Sequence, residues 1–165
     1  MKISTKTGDA GETSLFGGRR VSKNSLYMAA LGDLDELQAV LAACRFGVDE
    51  DLISLVARLQ DDIYRIMSVV GFEMKWPGNI RPIDENDVQY LEDFMARYED
   101  IAGDLSKFIR PGTTEEAARF NIARTVCRRA ERSLVALEEV PEGVLKYVNR
   151  LSDLLFVVGF SLEKI

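Results

Sequence analysis

Apolar residues recur every three to four positions along almost the whole chain, and this periodicity constrains the fold more than any other feature. It predicts a first helix over about residues 25–46, a second over about residues 50–74 and a third that begins near Asp84. A fourth helix is expected to begin at a capping box formed by Thr113 and Glu116, and a last helix follows the turn at Pro141.

The predicted connections between these helices are short, which favours an all-α fold. We expect a five-helix antiparallel bundle of the ferritin-like, four-helix-bundle type, with an ordered glycine-rich loop at the N-terminus. No strand pairs, repeats or domain linkers are predicted. Residues 1–165 should therefore form a single domain, in which residues 1–23 are the loop and residues 24–165 are the helical bundle.

The charge of the chain limits its partners. The formal net charge is -6 and the isoelectric point is near 4.8, which argues against a nucleic-acid surface. Both cysteines, Cys44 and Cys127, fall on apolar helix faces and are expected to be buried thiols in a reducing compartment. Because neither a signal peptide nor a membrane-spanning run is apparent, a cytoplasmic location is expected and no membrane partner.

A segment rich in arginine, residues 123–132, is the first candidate for function. In a helix, Arg124, Arg128 and Arg132 would form a ladder along one side, and Glu131 would point the same way. The ladder borders the apolar face, so we expect partly buried guanidiniums that bind an anion, phosphate in particular. The alternative is a set of exposed ion pairs with the many acidic residues of the chain.

The last predicted helix carries a second candidate. Asn149, Asp153 and Phe156 share one face of a helix that is apolar over most of its circumference. Buried polar groups need hydrogen-bond partners, and the arginine ladder is the expected partner. The alternative is a polar network that only fixes the register of the helices.

The N-terminal loop is the third candidate. Its glycines permit close approach of the backbone to a ligand, and its Thr, Ser and Lys residues supply donors that could cradle phosphates. It lacks the Gly-Lys-Ser/Thr ending of a Walker loop. A leader with no binding role is the alternative.

Taken in order, five motifs make the chain recognisable. They are residues 5–13 (TKTGDAGET), 35–37 (DEL), 108–112 (FIRPG), 123–132 (ARTVCRRAER) and 149–153 (NRLSD). The chain resembles the ATP:cob(I)alamin adenosyltransferases of the propanediol-utilisation and mitochondrial cobalamin type from Lys2 to about Phe160. The resemblance implies that the 5'-deoxyadenosyl group of ATP is transferred to the cobalt of cob(I)alamin or a related corrinoid, with release of triphosphate.

The resemblance also implies roles for individual residues. Residues 1–23 would be an ATP-binding loop, and Lys23 and Arg128 would carry the triphosphate charge, while Mg²⁺ would come with the ATP phosphates and not from side-chain ligands. The implied ATP-binding residues are Thr5, Lys6, Thr7, Gly8, Thr13, Ser14, Lys23, Arg128, Glu131, Arg132 and Asn149.

On the corrinoid side, Phe108 would crowd the lower face of the corrin and displace its axial base, which makes Phe108 a catalytic candidate. Asp153 and Phe156 would shape the same side. The family forms a homotrimer, in which Asp35 and Arg124 would pair across the subunit interface. A flavin-type reductase and an adenosylcobalamin-dependent mutase are the further partners suggested.

The chain has no histidine, and this absence removes several alternatives. Di-iron bundles need Glu-x-x-His pairs, and Ser-His-Asp triads and the usual zinc sites need histidine too. The sequence departs from the family at Thr113, where a second glycine is usual, at Asn121, which is often histidine, and at its end, Ile165. Two rivals stay open: a different ATP-using transferase or phosphatase, and a corrinoid carrier without catalysis.

Overall fold

The computed structural model describes residues 8–104 and 110–163, which form five α-helices and one small β-hairpin. The helices are α1 (Leu26–Ala43), α2 (Glu50–Gly71), α3 (Glu85–Ala102), α4 (Glu115–Val135) and α5 (Glu142–Ser161). The strands are β1 (Glu12–Ser14) and β2 (Arg20–Ser22), paired antiparallel. The predicted five-helix bundle is confirmed, and α1 and α2 are each about a turn shorter at their C-terminal ends than expected.

Four of the five helices, α1 to α4, begin at a short polar side chain that caps the helix, whereas α5 begins at Pro141 without a side-chain cap. Asp84 is the N-cap of α3, as predicted, and it forms a reciprocal capping box with Asp87. The box predicted for α4 is wrong by one residue, because Thr114 is the N-cap and its hydroxyl accepts from the backbone N–H of Ala117. The hydroxyl of Thr113 instead donates to Glu163.

Consecutive helices run antiparallel, and α5 packs against both α3 and α4. The ion pairs from Lys146 to Glu85 and from Arg150 to Glu92 join α5 to α3 in ascending order, so these two helices are parallel. As a result α1, α3 and α5 begin at one end of the bundle, which also carries the β-hairpin and is called the hairpin end below. The segment 110–114, which leads into α4, lies at the opposite end.

A continuous apolar core runs between the helices. Cys44 and Cys127 are buried free thiols, as predicted, and burial raises the pKa of Cys44 to about 12. Leu26, the first residue of α1, is 57% exposed. The largest fully buried side chains are Tyr147, Phe120, Leu34, Leu37, Leu41, Leu52, Leu55, Leu59, Ile63, Ile66, Leu91 and Leu134. No helix within residues 8–104 and 110–163 carries an apolar stretch long enough to cross a bilayer.

The β-hairpin was not predicted, because strands of three residues are too short to show an alternating pattern. It is fastened to the end of α2. The backbone N–H of Phe16 donates to the carbonyl of Gly71 at 3.0 Å, and Arg19 pairs with Glu73 at 2.6 Å. A Cβ at Gly71 would lie 2.4 Å from the Phe16 ring, so glycine is required for the hairpin to dock here.

Two buried carboxylates, Asp62 and Asp87, join α2, α3 and α5 in an ionic network that was not predicted. Arg65 donates to Asp62 at 2.6 Å and to Asp87 at 2.9 Å, and the hydroxyl of the buried Tyr147 donates to Asp62 at 3.0 Å. The other guanidiniums that reach this pair of carboxylates belong to Arg58 and Arg81. The network therefore ties the loop before α3 to three helices.

Candidate active site

A cleft of about 410 Å³ lies between α3, α4 and α5 and contains two rungs of the predicted arginine ladder. Its charged lining consists of Arg124 and Arg128 from α4, Asp153 from α5 and Glu99 from α3. Its remaining lining residues are Met95, Phe156 and Val157. The cleft therefore combines guanidiniums with an aromatic and apolar wall, which suits a ligand that has both an anionic and an apolar part.

Arg124 is held against the aromatic wall of the cleft. Its guanidinium carbon lies 6.0 Å from the centre of the Phe156 ring, at the outer limit of a cation–π contact. The Arg124 Nε is buried and has no hydrogen-bond partner within residues 8–104 and 110–163. A buried, unpaired donor is costly, so Arg124 is not stabilised at this position by hydrogen bonds of its Nε within the single chain.

The expectation of a partly buried ladder holds for Arg124 alone. Arg128 and Arg132 are exposed in the single chain, where Arg132 donates to the backbone carbonyl of Arg128 at 3.0 Å. Their guanidiniums are thus available to a ligand that approaches α4 from outside.

The second candidate constellation does meet the arginine helix, but not through the arginines. The amide of Asn149 donates to the carboxylate of Glu131 at 3.2 Å. The carboxylate of Asp153 accepts a hydrogen bond from Arg150 of the same helix at 2.9 Å. Asp153 also lines the cleft, as Arg128 does. The predicted hydrogen bonds from the ladder to these two side chains are therefore wrong, although α4 and α5 do bring the two groups of residues together.

In the hairpin, Gly8 and Lys23 come close together. A Cβ at Gly8 would lie 3.1 Å from the Lys23 Nζ, and the backbone N–H of Lys23 donates to the carbonyl of Gly11 at 2.9 Å. Thr13 and Ser14 lie on β1. Glycine at position 8 thus lets the Lys23 ammonium group lie close to the backbone of the loop, where a phosphate-binding loop would place a cation.

The structure of the single chain does not bring all of the predicted site residues together. The hairpin supplies none of the described residues that line the cleft at Arg128. Asp35 is exposed on α1, and the carboxylates that meet α4 within the chain are Asp33 and Glu36, both of which accept from Arg129. The predictions for Thr5, Lys6, Thr7 and Phe108 lie outside the described residues.

The structure also adds residues that were not predicted. Met95 and Glu99 line the cleft from α3, one turn apart. Glu99 directly follows the buried Tyr98 and lies one turn beyond Met95, so a charged side chain at the border of an apolar face was the available signal. Within the described ranges, no group of three or more Cys, Asp or Glu side chains is arranged to hold a metal ion.

Comparison with known proteins identifies the family. The family model for cobalamin adenosyltransferase matches residues 3–162. The chain belongs to this family. It is 42% identical to the cobalamin adenosyltransferase of Cupriavidus metallidurans, over 99% of this chain and 89% of that protein. It is 39% identical to the corrinoid adenosyltransferase PduO of Salmonella typhimurium, over 96% of this chain and 49% of the Salmonella protein.

Solved structures of adenosyltransferases share the fold. One is a phenylalanine-to-alanine variant of the PduO-type ATP:corrinoid adenosyltransferase from Lactobacillus reuteri, complexed with cobalamin and ATP. It superposes with a TM-score of 0.87 at 28% identity, and the match covers 97% of this chain and 92% of that chain. The helical bundle and the hairpin are therefore an adenosyltransferase architecture over almost the full length of the chain.

Proposed function

We propose that this protein transfers the 5'-deoxyadenosyl group of ATP to the cobalt of cob(I)alamin or a related corrinoid and releases triphosphate. The observation that carries the proposal is the cleft in which Arg128 lies beside Asp153 and Phe156, in a chain that belongs to the cobalamin adenosyltransferase family. Relatives at 39 and 37% identity are corrinoid adenosyltransferases. The Lactobacillus neighbour is complexed with both proposed substrates.

The chemistry suits a protein without histidine. The reduced cobalt of the corrinoid substrate is the nucleophile, and its electron pair forms the Co–C bond at the 5'-carbon as the C–O bond to triphosphate breaks. No proton transfer is required in this step, so the protein contributes alignment of the reacting atoms and stabilisation of the developing phosphate charge.

The leaving group needs cations. Arg128 is exposed at the cleft and Lys23 is exposed beside Gly8, so each has a charge available for phosphate oxygens. Mg²⁺ would enter with the phosphates of ATP and help to neutralise their charge, with no dedicated cage of protein ligands. The other residues assigned to ATP are Thr5, Lys6, Thr7, Thr13, Ser14, Glu131, Arg132 and Asn149.

On this proposal, one chain holds only part of each site. The hairpin and the cleft at Arg128 lie apart, since no described hairpin residue lines that cleft. The buried Nε of Arg124 lacks a partner in the described chain, and Asp35 is exposed on α1. A homotrimer in which Asp35 of one subunit reaches the guanidinium of Arg124 of the next would pair these two side chains and bring a hairpin to each cleft.

The corrinoid is assigned to the face of α5 that carries Asp153 and Phe156. Phe156 is 40% exposed although it lies on an otherwise apolar helix, so an aromatic surface is open to a flat ligand. Phe108, in the connection before Pro111, is the proposed lower-face aromatic. A cytoplasmic location and delivery of the product to a mutase, with a reductase supplying the reduced cobalt, belong to the same proposal.

The direct test is an anaerobic incubation of the protein with ATP, Mg²⁺ and chemically reduced cobalamin, followed by the visible spectrum. We expect the visible spectrum of adenosylcobalamin to appear and to be lost again when the product is exposed to light. Hydrolysis of ATP with no change at cobalt would identify a different ATP-using enzyme. Corrinoid binding without turnover would identify a carrier.

A further inference from the structure

The end of α5 is fastened to the segment that leads into α4, at the end of the bundle opposite the hairpin. The carboxylate of Glu163 accepts from the backbone N–H of Gly112 at 2.8 Å, from that of Thr113 at 2.7 Å and from the Thr113 hydroxyl at 2.5 Å. Next to it, the Thr114 hydroxyl donates to the carbonyl of Leu162 at 3.1 Å. We call the contacts of Glu163 with Gly112 and Thr113 the carboxylate clamp.

The clamp has the properties of a strong contact. Glu163 is among the few buried charged residues of the described chain, with 9% of its surface exposed. Burial alone would raise its pKa, but the hydrogen bonds from Thr113 and from the backbone N–H of Gly112 outweigh burial and lower the pKa below its ordinary value. Glu163 is therefore ionised at neutral pH, and all three bonds are charge-assisted.

The clamp also borders the surface assigned to the corrinoid. Glu163 lines a small gap together with Pro111, Asn121, Phe156 and Phe160, and the rings of Phe156 and Phe160 lie 6.0 Å apart. On the other side of Pro111, a groove of about 320 Å³ runs along α4 to Arg124. Pro111 therefore borders both the gap at Phe156 and this groove, and Glu163 holds the backbone of Gly112, the residue that follows Pro111.

We propose that Glu163 is a positioning residue for the corrinoid: it holds Pro111 and Gly112 against the Phe156 face, so that the corrinoid surface is formed before the ligand arrives. This inference rests on the proposed function, because it assigns the Phe156 face to a corrinoid. Rigid placement of a binding wall lowers the ordering cost of binding. The clamp lies at the end of the bundle opposite the hairpin, and its residues are not among the described residues that line the cleft at Arg128, so the ATP side should not depend on it.

The test measures the two substrates separately in four variants. Glu163→Gln keeps the size of the side chain and removes its charge, Thr113→Val removes one donor, and Thr113→Ser keeps that donor. Glu142→Gln, at an exposed position at the start of α5, is the matched control. The readouts are the Kd of cob(II)alamin in the presence of ATP, from the visible spectrum, the Kd of ATP alone, and hydrogen–deuterium exchange of the peptide over residues 110–114.

The clamp predicts that Glu163→Gln weakens cob(II)alamin binding roughly tenfold. Thr113→Val should weaken it less, Thr113→Ser and Glu142→Gln should leave it unchanged, and the Kd of ATP should stay within about twofold in all four. Exchange over residues 110–114 should rise in the two weakened variants alone.

Unchanged cob(II)alamin binding in Glu163→Gln and Thr113→Val would overturn the proposal, and so would equal weakening for both substrates. Since these readouts are binding and exchange, they are independent of turnover. A wild-type protein that binds cob(II)alamin but forms no Co–C bond would contradict the proposed reaction. The binding and exchange measurements would still decide whether the clamp positions the corrinoid surface. A wild-type protein that binds no corrinoid would overturn both.

Discussion

At the scale of single residues, the arginines of α4 divide by what they contact. Arg129 is engaged with Asp33 and Glu36 of α1, and Arg124 lies against the ring of Phe156. Arg128 forms no ion pair within residues 8–104 and 110–163 and lies at the edge of the cleft. The charge of Arg128 therefore does not stabilise the fold through an ion pair, and it is available for a ligand.

Replacing Arg128 with alanine should therefore impair turnover and leave folding intact. Loss of one charge-assisted contact to triphosphate should lower kcat/KM by an amount equivalent to about 1.5–3 kcal/mol. Steady-state kinetics and thermal unfolding of Arg128→Ala measure both effects, with Arg45→Ala, an exposed arginine just after the end of α1, as the control. Near-normal kcat/KM in a folded Arg128→Ala protein would remove the proposed role.

Phe108 separates an adenosyltransferase from its rivals. If its ring keeps the cobalt free of a lower ligand, Phe108→Ala should leave ATP affinity unchanged, because no phosphate contact is lost. Adenosylation that starts from Co(II) should fall sharply, since the re-ligated cobalt is harder to reduce, while the reaction from pre-reduced Co(I) should suffer less. Equal losses of activity in both assays, together with a lowered Tm, would mean that Phe108 is only a packing residue.

At the scale of secondary-structure elements, periodicity predicts the five helices because each buries an apolar stripe. It does not predict the exact ends, which depend on tertiary contacts: Thr113 matched a capping box, but its hydroxyl is taken by Glu163, 50 residues away. The hairpin was missed because its three-residue strands are fixed by docking on Gly71, a contact that sequence spacing does not show.

The candidate site shows the same limit. Motifs of the resemblance pointed to Arg128 and Asn149, and the structure places both on neighbouring helices. The Asp62–Asp87 network was missed although Asp62 falls on the apolar face of α2 between Leu59 and Ile66, which is a readable signal. Arg58 and Arg65 lie within one helical turn of Asp62, but the remaining members, Arg81, Asp87 and Tyr147, come from three other segments that no local pattern could have assigned.

That network should dominate the stability of the packing between α2, α3 and α5. Asp87→Ala leaves the guanidinium of Arg65 without one of its carboxylates, and Arg65 is only 14% exposed. Breaking a buried pair in this way should lower the free energy of unfolding by about 3–5 kcal/mol. Urea denaturation measures the change, and Asp93→Ala, on the exposed face of the same helix, should cost far less.

The network also predicts a dependence on pH. Burial opposes ionisation of Asp87, but hydrogen bonds from Arg65 and Arg81 outweigh burial and hold the pKa of its carboxyl well below 3.8. Because the folded pKa is depressed, the stabilisation is fully present above 3.8 and is lost as the pH falls below that value. The difference in Tm between wild type and Asp87→Asn should therefore narrow only in acid. A difference that narrows already near neutral pH would contradict this assignment.

At the scale of the whole molecule, the proposed site is shared between subunits, because no described residue of the hairpin lines the cleft at Arg128. We expect a homotrimer by analytical ultracentrifugation, with lower activity in Asp35→Asn and partial recovery when Asp35→Arg is combined with Arg124→Asp. Asp33→Asn is the matched control, because Asp33 is engaged with Arg129 and Ser133 inside the chain. A fully active monomer would contradict the shared site.

Transfer of the 5'-deoxyadenosyl group to cobalt is tested most directly by following the carbon that is transferred. ATP labelled with ¹³C at the 5'-position is incubated anaerobically with the protein, Mg²⁺ and cob(I)alamin, and the products are analysed by ¹³C NMR and ion-exchange chromatography. The proposed reaction places the label in a Co–C bond and releases one intact triphosphate for each adenosylcobalamin formed. Label that stays in ADP or adenosine, with phosphate or pyrophosphate as the other product, would contradict it.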